Sequence, residues 1–200
     1  MSEPIEFYFD FASPYGYFGA ARIAALAARH KRDVTWRPFL LGAVFKITGS
    51  GPLTSLPLKG GYSKLDIPRT ARYYGIPFTW PSVFPIATQA PARATYWLEQ
   101  QKSPQLEAAV LALYRAYFVD GVDISSPEST ADVLTRIGID RATLLNAIGD
   151  TAIKERLRSE TQRAIDRGVF GSPYVFVGAE PFWGNDRFDQ IERWLERGSF

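Results

Sequence analysis

Ser13 is the residue best placed to do chemistry in this sequence, because of what surrounds it. Five of residues 5–11 are aromatic or β-branched, and they fall on both parities, which predicts a strand buried inside a sheet. The Ser13-Pro14 pair is typical of a helix start, and the alanine-rich run beyond it predicts a helix to about Arg29. Ser13 therefore lies at a helix N-terminus, where free N–H groups and the helix dipole favour an anion such as a thiolate. The simpler alternative is that Ser13 only caps the helix.

Any thiol at this position would have to come from another molecule. The sequence contains no cysteine, which excludes disulfides, thiol nucleophiles of the chain's own and cysteine-bound metals. The one histidine, His30, falls at the far end of the predicted helix, a whole helix length from Ser13. A Ser-His-Asp triad is therefore not expected, and no metal is predicted.

The composition narrows the class of protein. Of the 200 residues, 46% are hydrophobic and 22% are charged, which predicts a globular chain with a sizeable core. The net charge is +2 with no long run of one sign, so neither nucleic acid nor an anionic membrane is expected as a partner. No apolar stretch reaches the length of a membrane span and the N-terminus does not resemble a signal peptide, which together predict a cytoplasmic protein.

The first part of the chain predicts a strand–helix–strand unit. A second strand is expected over residues 34–40, parallel to the first and joined to it by a right-handed crossover. Residues 41–61 are rich in Gly, Pro, Ser and Thr and are predicted to be mostly loop. This segment contains Lys46 and Lys59, which either reach over a site or are ordinary surface lysines. A short helix capped by Asp66 is predicted next.

The second part predicts helices followed by a β-hairpin. Helical periodicity predicts five helices, over residues 87–101, 104–119, 127–137, 141–148 and 152–167. A strand over residues 171–178 and a hairpin partner at 181–183 follow, and a turn at 184–187 precedes a last helix over 188–197. The order of elements is that of an α/β, thioredoxin-like fold with a mainly helical insertion. Residues 1–40 and 168–200 are expected to form the thioredoxin-like domain, and residues 41–167 the helical insertion.

Two features of thioredoxin-type proteins have counterparts here. Such proteins open their first helix with a Cys-Pro-x-Cys turn, and the corresponding residues are Ser13-Pro14-Tyr15-Gly16, which cannot exchange disulfides. They also carry a cis-proline just before the third strand. The Ser172-Pro173 pair occupies that place, so this bond is predicted to be cis.

Three motifs together resemble the 2-hydroxychromene-2-carboxylate isomerases. They are Phe-Asp-Phe-x-Ser-Pro-Tyr around Ser13, Phe-Gly-x-Pro ending at Pro173, and Trp-Gly-Asn-Asp-Arg from Trp183. Further matches at Lys59-Gly60 and Tyr74-Gly75-Ile76-Pro77 extend the resemblance over essentially the whole chain. That family is related to the kappa-class glutathione transferases and to the DsbA-type oxidoreductases.

The resemblance implies glutathione as a cofactor. Ser13 matches the family's catalytic serine, whose hydroxyl would donate to the glutathione sulfur and lower the pKa of the thiol. The backbone of Ser172, before Pro173, would pair with the cysteinyl part of the tripeptide. The last helix is expected to begin at Asn185 and Asp186, whose N–H groups suit the γ-glutamyl carboxylate. The carboxylate of Asp186 suits the α-ammonium group.

The resemblance also implies a substrate, a reaction and an assembly. Lys59 matches a position that meets the glycyl end of glutathione, and Lys46 is predicted to hold the carboxylate of a small aromatic substrate. The implied reaction is isomerisation of an aromatic-degradation intermediate by reversible addition of the thiolate, in a homodimeric enzyme. Two positions depart from the pattern: Ser50 stands where kappa-class proteins have asparagine, and Ser172 stands where the isomerases have a small apolar residue.

Two alternatives remain open from the sequence. One is a kappa-like transferase or peroxidase, which would consume glutathione. The other is a non-catalytic thioredoxin-fold binding module, in which Ser13 is only a cap. Glutathione binding would separate the module from both enzymes.

Overall fold

The computed structural model describes residues 3–200, and within them four strands form one mixed sheet. These are β1 (Ile5–Phe9), β2 (Val34–Pro38), β3 (Tyr174–Val177) and β4 (Glu180–Trp183). Their order is β2-β1-β3-β4, with β1 parallel to β2 and antiparallel to β3, and β3 antiparallel to β4. A parallel pair joined by a helix, with a C-terminal hairpin on the same sheet, confirms the predicted thioredoxin-like fold.

The central position of β1 explains why it carries large apolar side chains on both faces. Phe7 on one face lies edge-on to Trp36 with ring centroids 5.5 Å apart. Tyr8 on the other face meets Phe176 at 5.8 Å. All three rings of Phe7, Tyr8 and Phe9 are buried, so both parities of this strand require apolar side chains.

Nine α-helices lie within the described residues. They are α1 (Pro14–Arg29), α2 (Leu41–Thr48), α3 (Lys59–Tyr74), α4 (Gln89–Gln100), α5 (Leu106–Phe118), α6 (Pro127–Thr135), α7 (Arg141–Gly149), α8 (Thr151–Asp166) and α9 (Phe188–Arg197). The bounds of α1 and α9 are those predicted, and each end of α4 to α8 lies within two residues of its predicted place. In residues 3–200 no helix combines the length and the apolarity needed to cross a membrane.

The prediction that residues 41–61 are mostly loop is wrong. Helix α2 and the start of α3 occupy much of this segment, with a 3-10 turn at Leu53–Ser55 between them. Two contacts from elsewhere in the chain support α2. Val44 is buried in the core, and the carboxylate of Asp10 accepts the N–H of Leu41 in the first turn. Tertiary contacts therefore outweigh the Gly and Ser content.

Helix α3 is also longer than the helix predicted around Asp66. It begins at Lys59, passes through Pro68 and ends at Tyr74, before Gly75 with a φ of +66°. Asp66 lies in the middle of the helix and not at its N-terminus, so the prediction that it caps the helix is wrong. Its carboxylate binds side chains, including Tyr15 of α1.

Helices between β2 and β3 hold α1 in place from the side opposite the sheet. Tyr17 of α1 lies against Tyr114 and Phe118 of α5, with ring centroids 5.6 and 5.7 Å apart. Phe18 of α1 is fully buried. The N-terminus of α1 is thereby fixed between the sheet and the helices, and the division into domains 1–40 with 168–200 and 41–167 stays a prediction.

Candidate active site

A cavity of about 1320 Å³ lies at the N-terminal end of α1. Its lining includes every side chain singled out from the sequence except Pro173: Ser13, Lys46, Ser50, Lys59, Ser172, Asn185 and Asp186. These residues come from both ends of the chain and from the segment that runs from α2 to the first residue of α3. The fold therefore brings the predicted residues to one cavity, although their roles there stay predictions.

Ser13 caps α1, as predicted, and its hydroxyl has two partners. Its Oγ accepts the N–H of Gly16 at 3.0 Å and donates to the carbonyl oxygen of Ser172 at 2.9 Å. The residue is buried but lines the cavity. A hydroxyl has a single hydrogen, so a thiolate near Ser13 would compete with the Ser172 carbonyl for it.

The Ser172–Pro173 peptide bond is cis, as predicted. The hydroxyl oxygen of Ser172 accepts the backbone N–H of Asp10 at 3.0 Å. Its side chain therefore joins the loop before β3 to the end of β1. An apolar residue at position 172 could not accept this hydrogen bond, so the serine has a structural role here.

Asp10 is a site residue that the sequence analysis missed. It is buried, and its carboxylate accepts the N–H groups of Ala12 and Leu41, each at 2.8 Å, and is bound by the side chain of Thr88. Burial raises the pKa of Asp10 above its ordinary value, although these hydrogen bonds favour the ionised form. The available signal was an acidic residue between Phe9 and Phe11, at the end of the predicted first strand.

Tyr114 of α5 completes the polar surroundings of the turn. Its hydroxyl donates to the carbonyl of Asp10 at 3.0 Å, and burial holds the pKa of its phenol well above the ordinary value. A Cβ atom added at Gly16 would lie 2.7 Å from the Oγ of Ser172 and 2.8 Å from the hydroxyl oxygen of Tyr114. The absence of a side chain at Gly16 thus lets these two groups reach the first turn of α1.

The approach to α9 forms another part of the cavity. Asn185 to Arg187 form a 3-10 turn directly before α9, which begins at Phe188 and not at Asn185. Asn185 is buried, and its Nδ2 has no hydrogen-bond partner within residues 3–200. Asp186 is exposed and pairs with Arg187 at 3.2 Å.

Arg22 of α1 binds this turn and holds it in place. Its Nη1 donates to the carbonyl of Asn185 at 2.8 Å. Its guanidinium lies 3.7 Å from the ring centroid of Tyr74 and 4.5 Å from that of Phe188. One side chain therefore ties α1 and α3 to the start of α9.

The opposite wall of the cavity carries a polar cluster, Tyr15-Tyr62-Asp66-Arg69, that the sequence analysis did not identify as a unit. Tyr15 donates to Asp66 Oδ2 at 2.6 Å, and Arg69 donates to Asp66 Oδ1 at 2.5 Å and to the Tyr62 hydroxyl at 3.0 Å. Burial would raise the pKa of Asp66, but the hydrogen bonds from its three neighbours lower it overall. Burial and the bond to Asp66 raise the pKa of Tyr15.

Comparison with known proteins agrees with this geometry. Residues 4–196 match the model of the DsbA-like thioredoxin domain. A 2-hydroxychromene-2-carboxylate isomerase of Pseudomonas putida is 31% identical over 96% of this chain and 94% of its own length. The chain belongs to the 2-hydroxychromene-2-carboxylate isomerase family. A solved structure of such an isomerase superposes with a TM-score of 0.86, at 31% identity over 96% of this chain and 94% of that one.

Kappa-class proteins are more distant relatives. A kappa-class glutathione S-transferase of Caenorhabditis elegans is 26% identical over 96% of this chain and 91% of its own length. Membership of the 2-hydroxychromene-2-carboxylate isomerase family confirms that this chain belongs with isomerase-type enzymes. The non-catalytic module is accordingly set aside.

The two lysines predicted to bind ligands, Lys46 and Lys59, line the cavity. Lys46 is in the last turn of α2 and Lys59 is the first residue of α3. Both are exposed. Neither side chain has a hydrogen bond or ion pair to another of residues 3–200. Lys59 follows Leu58, whose φ is +64°.

Proposed function

We propose that this protein is a glutathione-dependent isomerase of the 2-hydroxychromene-2-carboxylate type, acting on an aromatic-degradation intermediate. The observation that carries the proposal is the position of the Ser13 hydroxyl. It lies at the N-terminus of α1, 2.9 Å from the Ser172 carbonyl and on the wall of a large cavity, in a chain without cysteine. Such a site can stabilise a thiolate that it does not itself supply.

The residues around the cavity fit the rest of a glutathione molecule. The buried Nδ2 of Asn185, which lacks a partner among the described residues, suits a γ-glutamyl carboxylate, because an unpaired buried donor is costly. Asp186, exposed beside it, suits the α-ammonium. Lys59, whose ammonium is unpaired within the described chain, suits the glycyl carboxylate. The similarity to glutathione S-transferases supports the same assignment.

In the proposed reaction glutathione supplies a thiolate that adds reversibly to a conjugated carbon, so that a double bond becomes free to rotate. Ser13 holds a proton at its Oγ and offers it to the sulfur. To do so the hydroxyl must turn away from the Ser172 carbonyl, which is then free to accept a main-chain N–H. The N–H of Gly16 continues to bind the Ser13 Oγ and keeps the hydroxyl in place.

The test is the effect of Ser13→Ala on the pKa of the bound thiol. The wild-type complex should show a thiol pKa below the ordinary value, because the hydroxyl and the helix N-terminus both favour the anion. Ser13→Ala should raise this pKa and reduce turnover. The measurement is an ultraviolet thiolate titration of each complex, with calorimetry to confirm that glutathione is bound.

Ser126→Ala is a matched control for loss of a helix cap. Ser126 caps α6, precedes a proline and accepts the N–H of Ser129 at 3.0 Å, as Ser13 does in α1, but it does not line the cavity. Both substitutions should cost about 1 kcal/mol of folding free energy for the lost cap, and Ser13→Ala also loses the hydrogen bond to the Ser172 carbonyl. Only Ser13→Ala should shift the thiol pKa, and equal titration midpoints in wild type and Ser13→Ala would return Ser13 to the role of a cap.

The kappa-class similarity keeps a transferase or peroxidase as a second candidate. An isomerase returns glutathione unchanged, whereas a transferase or peroxidase consumes it, so the free thiol remaining after turnover separates them. A homodimeric state stays a prediction of the family resemblance, and a cytoplasmic location stays a prediction from the sequence.

A further inference from the structure

We infer that Arg69, and not Lys46, is the receptor for the carboxylate of the second substrate. The inference rests on the proposed function for the reaction that such an acid enters. It rests on the polar cluster Tyr15-Tyr62-Asp66-Arg69 described above. None of these residues caps α1 or takes part in the proposed glutathione contacts.

The cluster holds the guanidinium of Arg69 in one orientation. Both hydrogen bonds of Arg69 use the same nitrogen, Nη2, which donates to Asp66 at 2.5 Å and to the Tyr62 hydroxyl at 3.0 Å, and the guanidinium lies 5.5 Å from the Tyr62 ring centroid. Its Nε and Nη1 have no acceptor among residues 3–200, and the side chain is 55% exposed. A planar donor group with one end anchored and the other free is suited to a carboxylate.

This arrangement differs from an ordinary ion pair on a helix surface. Asp66 is only 21% exposed, and its second oxygen accepts the Tyr15 phenol at 2.6 Å and the Thr70 hydroxyl at 3.4 Å. Tyr15 lies two residues after Ser13 in the first turn of α1. The position of Arg69 is thus coupled through two hydrogen bonds to the helix turn that carries the proposed catalytic serine.

Lys46 is the rival for this role, and its geometry is weaker. Its exposed ammonium has no partner in the described chain, so binding an anion would have to restrict a long, flexible side chain. Among residues 3–200, Arg187, another cation of the cavity wall, pairs only with the exposed Asp186, so it is held less firmly than Arg69, whose partner Asp66 is mostly buried. Arg69 is therefore the cation of this wall that is both held and available.

The surroundings of Arg69 define the rest of the ligand. Large aromatic and apolar side chains line the same cavity, among them Phe45, Tyr62, Tyr73, Phe84 and Ile86. Tyr62 and Tyr73 are 61% and 81% exposed on α3, beside Arg69. A flat ring bearing one carboxylate would meet both the apolar surface and the guanidinium.

The experiment compares the binding of 2-naphthoic acid and 2-naphthamide by calorimetry, without glutathione. The acid should bind wild type more tightly than the amide. Arg69→Gln should weaken the acid about tenfold or more, the range of a charge-assisted hydrogen bond, and leave the amide unchanged. Arg69→Lys, which keeps the charge but not the fork, should lie between them, and Arg72→Gln, an exposed arginine of α3 outside the cavity lining, should behave as wild type.

Three results would overturn the inference. They are equal binding of acid and amide by wild type, an unchanged acid preference in Arg69→Gln, and loss of that preference in Lys46→Gln. Glutathione affinity is measured on the same Arg69→Gln protein and should not change. A weakened glutathione complex would mean that Arg69 serves the tripeptide, which would refute the inference while leaving the proposed function intact. Absence of glutathione binding in wild type would refute the proposed function instead.

Discussion

Gly16→Ala tests how closely the polar groups pack around the first turn of α1. Gly16 is the third residue of α1, and Gly61 is the third residue of α3, so the two form a matched pair. Alanine within a helix is ordinarily more stable than glycine by about 0.5–1 kcal/mol. At Gly61 an added Cβ meets nothing within 4 Å, so Gly61→Ala should show this gain.

At Gly16 the sign should reverse. The new Cβ would lie 2.7 Å from the Ser172 Oγ, 2.8 Å from the Tyr114 hydroxyl oxygen and 3.1 Å from the Ser13 Cβ. Ser172 and Tyr114 can retreat only by loosening their hydrogen bonds to the backbone of Asp10. Overpacking or loss of one buried hydrogen bond costs about 1–3 kcal/mol. After the helix gain is subtracted, Gly16→Ala should cost the protein about 0–2.5 kcal/mol, centred near 1 kcal/mol, where Gly61→Ala shows a gain.

The assay is urea denaturation of wild type and both variants. Equal slopes with a lower midpoint for Gly16→Ala and a higher midpoint for Gly61→Ala would support the reasoning. A gain in stability at Gly16 comparable to that at Gly61 would refute it, since the Ser172 and Tyr114 hydroxyls would then not be constrained by Asp10.

Two further predictions concern carboxylates of the cavity. Asp186→Ala should weaken glutathione binding by about 1.5–3 kcal/mol through loss of a charged contact. Asp189 lies in the first turn of α9 but outside the cavity lining, so Asp189→Ala should leave the affinity unchanged. Equal affinities of the two variants by calorimetry would remove Asp186 from the site. The pKa of Asp66 is lowered in the folded protein, so its stabilisation is present above its ordinary pKa and is lost as the pH falls through the lowered value. Asp66→Asn should therefore be less stable than wild type at neutral pH and approach it in acid, and a stability gap that does not change with pH in denaturation curves would contradict the assignment.

Local signals account for what the sequence predicted well. Ser13-Pro14 fixed the start of α1 because the cap and the proline act within one helical turn. The hairpin of β3 and β4 follows from an apolar run, a turn and a second short run. Prediction failed where distant contacts decide the structure. Helix α2 depends on Asp10, which is 31 residues from Leu41.

The same limit applies to the site. The Tyr15–Asp66 hydrogen bond joins residues 51 positions apart, so neither the middle position of Asp66 in α3 nor its partner could be read from local sequence. Asp10 looked like one acidic residue in a strand because Thr88 and Leu41 reach it only in the folded chain. Sequence similarity located the motifs, but it did not provide their hydrogen bonds.

The contacts that converge on Asp10 determine when the surroundings of Ser13 are completed during folding. The turn that carries Ser13 is bound to Ser172, 159 residues later, while the carboxylate of Asp10 is bound to the starts of α2 and α4. A chain growing from its N-terminus therefore makes Ser13 early but completes its surroundings only when β3 has paired with β1. Because closing so long a loop is slow, the pairing of β1 with β3 forms late. A truncated or partly folded chain would keep helix α1 and its cap without the Ser172 carbonyl, so the cavity wall around Ser13 should be completed in one step with the pairing of β3.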